Sequence, residues 1–179
     1  MFNLPNTLTF IRIGFIPIIF GLLFFPGKIF GLLAAICFLI ASLTDFLDGF
    51  FARRRNSVTS IGKILDPLAD KLLIVVCLIM LIPLHDVPAW IVAIIVLREI
   101  AITGLRGLAA SEGIIIPAES WGKKKTIFQI VAIIALMLHY EYFGLDLHKI
   151  GIAVLIIAMV LTLWSGLVFS CRFFKKIKL

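Results

Sequence analysis

Charge is scarce in this chain. Asp, Glu, Lys and Arg make up 15% of its 179 residues, where a soluble globular domain carries about 25%. Hydrophobic residues reach 62%, against roughly 45–50% in such a domain, which excludes water as the main solvent of the surface. Cysteine is rare as well. Cys37, Cys77 and Cys171 lie in or beside apolar stretches with no CxxC spacing, so a cysteine metal site and a disulfide framework are excluded, and they read as small apolar fillers. No run alternates apolar and polar residues as a membrane barrel requires, and an open sheet would leave backbone groups unpaired in hydrocarbon. Internal repeats, low-complexity runs and Ser/Pro-rich linkers are also missing. The chain therefore reads as one all-α integral membrane domain over residues 1–179, with any site built inside the bundle. Its first apolar stretch has no small-residue cleavage site and contains Pro17, so it is expected to stay as a helix and not to leave as a signal peptide.

What the chain does have is six apolar stretches: Leu8 to Phe25, Ile29 to Phe51, Asp66 to Leu84, Ala89 to Ala110, Thr126 to Phe143 and Ile150 to Phe174. Each approaches the ~20 residues of a bilayer-spanning helix. Between them stand short connectors with turn chemistry: Pro26-Gly27, Arg53 to Gly62, His85 to Pro88, Ser111 to Lys125 and Gly144 to Lys149. With both termini placed in the cytoplasm, 13 of the 17 Lys and Arg residues fall on the cytoplasmic side, as the positive-inside rule asks. The expected location is the cytoplasmic (inner) membrane. That rule also accounts for the net charge of +7, so no nucleic-acid partner is expected.

Acidic residues are few but clustered. Four of the six aspartates, Asp45, Asp48, Asp66 and Asp70, occur within 26 positions and fall in or beside apolar stretches. A carboxylate near the middle of a span costs at least ~2.5–3.5 kcal/mol, so each needs a compensating partner. Asp45, Asp48, Gly49 and Ala52 stand at i, i+3, i+4 and i+7, one face of a helix. Gly62, Asp66 and Asp70 stand at i, i+4 and i+8, one face of the next. Antiparallel neighbours joined by the basic loop would carry Asp48 and Asp66 about 6 Å from their helix ends, and Asp45 and Asp70 about 11 Å in. Carboxylates paired in this way either share protons or bind cations. An oxygen-only cluster favours Mg²⁺ or Mn²⁺ over zinc. Gly49, Ala52 and Gly62 leave room beside such ions, although small residues in membrane helices also serve close packing. Arg53-Arg54-Arg55 adds positive charge at the mouth, or anchors the helix in the cytoplasm. Metal, space and guanidinium together suit a substrate bearing a diphosphate.

The pattern Asp45-x2-Asp48-Gly49-x2-Ala52-Arg53-x8-Gly62-x3-Asp66-x3-Asp70 resembles the signature of the CDP-alcohol phosphatidyltransferase family at every fixed position. That resemblance implies six transmembrane helices, a homodimer, and a cytoplasm-facing site with two divalent cations. It implies that Asp45, Asp48 and Asp66 ligate the metals, and that Asp70 completes the site and acts as general base. Gly49, Ala52, Arg53, Thr59 and Gly62 fall where the family binds its CDP-linked donor. Outside the signature, Asn3-Leu4-Pro5-Asn6 with Thr9 and Arg12, Arg98-Glu99 with Gly104-Leu105-Arg106, and Gly122-Lys123-x-Lys125-Thr126 with Gln129 resemble the members that use sn-glycerol 3-phosphate as acceptor. Asn6 and Thr9 are accordingly grouped with the donor-binding residues.

An acceptor that carries a phosphate needs cations, and Arg98, Arg106, Lys123 and Lys125 are the candidates. Arg106 lies at i+8 from Arg98 on the same helical face, and Lys123 and Lys125 open the next helix. Arg98 alternatively pairs with the adjacent Glu99. His85, His139 and His148 fall toward the other membrane face, and Trp90, Trp121, Trp164, Tyr140 and Tyr142 mostly near span ends, where an interfacial belt is their ordinary role. The expected reaction is direct transfer of a phosphatidyl group from CDP-diacylglycerol, because no serine, cysteine or histidine stands beside the carboxylates as a nucleophile. Rival acceptors are phosphatidylglycerol, an inositol phosphate and serine. A cation or proton transporter would continue its acids to the other face, and a membrane scaffold leaves the aspartates unexplained.

Overall fold

The computed structural model describes residues 4–25, 27–55, 60–84, 87–112, 120–142 and 144–177, with side chains described at 11–25, 27–44, 71–84, 87–112, 122, 124–141 and 144–176. Six helices run through them: α1 (Leu4–Phe24), α2 (Lys28–Arg55), α3 (Ser60–Leu84), α4 (Ala89–Ser111), α5 (Ser120–Met137) and α6 (Leu147–Ile177). A two-residue antiparallel pair, β1 (Glu141–Tyr142) with β2 (Leu145–Asp146), joins α5 to α6.

Helix boundaries depart from the expected spans most clearly between α5 and α6. The fifth helix stops at Met137 and does not reach Phe143, and α6 begins at Leu147, three residues before Ile150. The cause is local: Gly144 takes a left-handed φ of 78° that closes the hairpin, and the Asp146 carboxylate accepts the Lys149 backbone N–H at 3.1 Å, capping α6. The basic loop is also shorter than expected, because α2 continues to Arg55 and α3 starts at Ser60. On these bounds Asp45 and Asp70 each lie ten residues inside their helices, about 15 Å at 1.5 Å per residue and deeper than the expected 11 Å.

The bundle packs through α1 against α2 and α3, α5 against α2, α3 and α6, and α4 against α3 and α6. Large buried side chains such as Phe38, Leu78, Ile95, Ile133, Leu136 and Leu155 alternate with Ala34, Ala41, Ala132 and Ala158. In lipid, packing of this kind takes over the work that hydrophobic exclusion does in water. Gly31 is one place where only glycine fits, since a Cβ there would stand 2.6 Å from the Met137 carbonyl oxygen. A cavity of about 160 Å³ beside it is lined by Leu23, Phe24, Gly27, Leu84, His139 and Tyr140. That cavity gathers the C-terminal ends of α1, α3 and α5 with the N-terminal end of α2. The Asp45–Arg55 and Ser60–Asp70 portions of α2 and α3 belong to the opposite end.

Exposed side chains are apolar along much of the surface, among them Ile18, Leu32, Leu43, Leu97, Ile100, Val160 and Leu167, which suits hydrocarbon and not water. Among the residues whose side chains are described, α6 is long and apolar enough to cross a membrane, and 11–24, 28–44 and 71–84 are apolar stretches of α1, α2 and α3. Charge is dense in parts of the other helices. Asp45, Asp48 and three arginines occupy the last third of α2, Arg98, Glu99 and Arg106 interrupt α4, and three lysines open α5.

Candidate active site

Asp45, Asp48, Gly49, Ala52 and Arg53 are carried by α2, and Gly62, Asp66 and Asp70 by α3, so both halves of the acidic pattern run along continuous helix. Asn6 and Thr9 belong to α1 and Lys123 to α5. The side chains of all these residues lie outside those described, as does Thr59 altogether. The expected meeting of the two acidic faces therefore also lies outside the described residues.

Three of the four basic candidates, Arg98, Arg106 and Lys125, are placed. On α4, Arg98 Nη1 donates to Glu99 Oε1 at 3.2 Å, and Nη2 donates to Ser165 Oγ on α6 at 2.7 Å. Lys125, from α5, donates its ammonium to the same Glu99 oxygen. Three helices thus meet in one cluster, α4 and α5 at the Glu99 carboxylate and α6 at Arg98. The Arg98 and Glu99 side chains are only 11% and 9% exposed, and Lys125 is buried, so among the described residues two cations share one anion away from solvent. A buried ion pair with unequal charge is costly unless another group completes it. Arg98 Nε is buried with no hydrogen-bond partner among the described residues. Arg98 does pair with Glu99, one of the two readings that the sequence allowed, and Lys125 joins the same carboxylate.

Around this cluster the remaining polar groups are satisfied. Gln129 Nε2 donates to Thr162 Oγ1 at 3.1 Å, tying α5 to α6 one turn from Lys125, and Ser165 Oγ donates to the Thr162 carbonyl at 3.2 Å. Arg106 is separate. It is exposed, and its guanidinium carbon lies 5.5 Å from the centre of the Phe169 ring, within cation–π range. Phe169, Phe173, Ile102 and Ala109 form a small apolar cluster between α4 and α6, distinct from the main core that holds Ile91, Ile95, Leu155 and Met159. The α4–α6 interface is thus apolar, then polar at Arg98, Glu99, Thr162 and Ser165, then apolar again.

The family profile of CDP-alcohol phosphatidyltransferase matches residues 2–164. The chain belongs to that family. It is 43% identical over 178 residues to the "CDP-diacylglycerol--glycerol-3-phosphate 3-phosphatidyltransferase" of Bacillus subtilis (strain 168), covering 93% of this chain and 92% of that one. Proteins of the same name from Rickettsia bellii (strain RML369-C) and Pseudomonas fluorescens are 40% and 37% identical, each over 92% of this chain and over 91% and 87% of their own lengths.

As a CDP-alcohol phosphatidyltransferase, the chain carries in its signature a donor set of carboxylates alone, without cysteine or histidine. That chemistry fits a hard divalent cation. Elsewhere among the described residues no three His, Cys, Asp or Glu side chains group in a way that could hold a metal. Sequence reasoning missed Ser165, Thr162 and Gly166 as neighbours of the basic cluster. Their signal was present: with Phe169 they stand at i, i+3, i+4 and i+7 on α6, a narrow stripe of hydroxyls and glycine in an otherwise apolar helix.

Proposed function

We infer that this chain transfers the phosphatidyl group of CDP-diacylglycerol to sn-glycerol 3-phosphate, giving phosphatidylglycerol phosphate and CMP in phospholipid biosynthesis. The observation that carries this is the 37–43% identity to transferases of that name over about nine-tenths of the chain. The convergence of Arg98 and Lys125 on Glu99 supports the choice of acceptor, because a surplus positive charge in a nearly buried cluster suits a phosphate monoester.

In the proposed reaction, Asn6, Thr9, Gly49, Ala52, Arg53, Thr59 and Gly62 hold the donor, with its acyl chains in the bilayer. Arg98, Arg106, Lys123 and Lys125 hold the acceptor's phosphate. Asp70 takes the proton from the acceptor hydroxyl, whose oxygen attacks the phosphatidyl phosphorus in line as the bond to CMP breaks. Asp45, Asp48, Asp66 and Asp70 are the residues that would hold Mg²⁺ or Mn²⁺, two ions per site, which supply positive charge against the diphosphate and the leaving group. The domain crosses the cytoplasmic membrane six times with both termini in the cytoplasm, and works as a homodimer.

The test is a radiolabelled-acceptor assay on the purified protein with CDP-diacylglycerol, comparing sn-glycerol 3-phosphate, inositol phosphate, serine and phosphatidylglycerol. Labelled phosphatidylglycerol phosphate from the first acceptor alone is the expected product. Transfer to serine or phosphatidylglycerol instead would overturn the acceptor assignment.

A further inference from the structure

Three residues of α6 face the acceptor cations, and a fourth, Thr162, faces Gln129 on α5. Ser165 Oγ accepts a hydrogen bond from Arg98 Nη2 at 2.7 Å, and Thr162 Oγ1 accepts one from Gln129, one helical turn along α5 from Lys125. Gly166 lies under the Arg98 side chain, where a Cβ would come within 2.9 Å of Nε and 3.2 Å of Cγ. Phe169 lies under Arg106. Thr162, Ser165 and Phe169 are 0%, 3% and 6% exposed, so this is a built interior face and not a chance surface contact. At i, i+3, i+4 and i+7 the four form one continuous stripe.

We propose that this stripe of α6 is a positioning surface for the acceptor's phosphate: it sets where the guanidinium groups of Arg98 and Arg106 point, and it fixes α5 so that Lys125 meets them. The proposal rests on the acceptor reading above and extends it to residues that touch neither substrate. Each contact has a separate task. Ser165 turns Arg98 so that Nη1 serves Glu99 while Nε has no partner among the described residues. Gly166 leaves the space in which Arg98 lies across α6. Phe169 supports Arg106 without consuming any of its N–H donors, which stay available to a phosphate oxygen. Because phosphate recognition by a guanidinium depends on direction, a cation turned aside keeps its charge and loses its bidentate geometry.

The experiment uses the purified full-length enzyme in detergent micelles with CDP-diacylglycerol, measuring KM for sn-glycerol 3-phosphate and KM for CDP-diacylglycerol separately. The variants are Ser165→Ala, Gly166→Ala, Ser165→Thr, Arg98→Ala and Lys125→Ala. Loss of a hydrogen bond to a charged group predicts that Ser165→Ala raises KM for sn-glycerol 3-phosphate about tenfold. Gly166→Ala acts in the same direction by adding bulk where Ser165→Ala removes a contact, so the two do not share one way of misfolding. In both, KM for CDP-diacylglycerol stays close to that of the unaltered enzyme, and Ser165→Thr, which keeps the hydroxyl, recovers most of the loss. A merely structural role would move both KM values together, and that result overturns the proposal. If Arg98→Ala and Lys125→Ala raise the acceptor KM but the α6 variants do not, the acceptor reading stands and the positioning role falls. If Arg98→Ala and Lys125→Ala leave it unchanged, both fall.

Discussion

On α2, Asp45, Asp48, Gly49 and Ala52 occupy offsets i, i+3, i+4 and i+7; on α6, Thr162, Ser165, Gly166 and Phe169 occupy the same four. The periodicity is identical and the visibility is not. Carboxylates in an apolar stretch are expensive, so their presence by itself signals chemistry. Hydroxyls and glycine are ordinary in membrane helices, where they pack or bond back to their own carbonyls, as Ser42 does to Phe38 at 2.8 Å. Only the partners across the interface distinguish the α6 stripe from such routine use. One face is expected to act on the reacting groups, and the other to act through Arg98, Arg106 and α5.

The sharpest way to separate the two faces is to strike the acidic one. Chelation is expected to abolish transfer, with recovery on adding Mg²⁺ or Mn²⁺, since four carboxylates without cations would leave uncompensated charge in the membrane. Asp70→Asn should lower turnover by at least the ~10²–10⁴ that a general base contributes, while calorimetry with Mg²⁺ still detects CDP-diacylglycerol binding. Asp45→Asn or Asp66→Asn should weaken metal and donor binding together. Near-normal turnover in Asp70→Asn would remove it as the base and erase the contrast with α6.

Next in size are the cations that the α6 face supports. Lys125→Ala and Arg106→Ala are expected to raise the acceptor KM by about tenfold, the effect of one charged hydrogen bond, with little change for the donor. Lys125 should matter more, because it is buried on Glu99 while Arg106 is exposed above Phe169. Equal effects on both substrates would place these residues outside the acceptor pocket.

Sequence carried some of this architecture and withheld the rest for identifiable reasons. The helices were legible because apolar runs between Gly/Pro and basic connectors leave few alternatives in lipid, and the expected α4, Ala89 to Ala110, differs from the observed helix by one residue. The end of α5 was not legible, because Tyr140, Tyr142 and Phe143 continue an apolar reading that the left-handed Gly144 and the Asp146 cap interrupt. Arg98, Glu99 and Lys125 were legible as charges. Their convergence was not, since Glu99 and Lys125 lie on different helices and no local period links them.

Two smaller effects mark regions that belong to neither face. Gly31→Ala should destabilise the bundle by about 1–3 kcal/mol, the usual range for overpacking, as thermal unfolding in detergent would register, with both KM values unchanged. A change in KM would mean that the cavity end communicates with the site. Least of all, Asp146→Ala should speed amide exchange in the first turn of α6 and leave transfer intact. The Lys149 backbone N–H, and then its ammonium, hold the Asp146 carboxyl below the usual range. Its capping contribution is therefore present at neutral pH and fades as acid protonates the group, so the unaltered protein at low pH should come to resemble the variant.

The polar band between the two apolar clusters of α4 and α6 also bears on how the bundle assembles. Helices in lipid lack a hydrophobic force to sort them, and apolar surfaces slide past one another with little penalty. Shift α6 by one turn, about 5.4 Å, and Leu161 or Phe169 replaces Ser165 opposite Arg98, while Thr162 or Ser170 brings a Cβ to the place of Gly166. Either slip leaves Arg98 Nη2 without its α6 partner in a nearly buried place. The cluster therefore works as a registration mark: α6 has one axial position at which α4 accepts it, set while the chain is still finding its neighbours and ahead of any substrate.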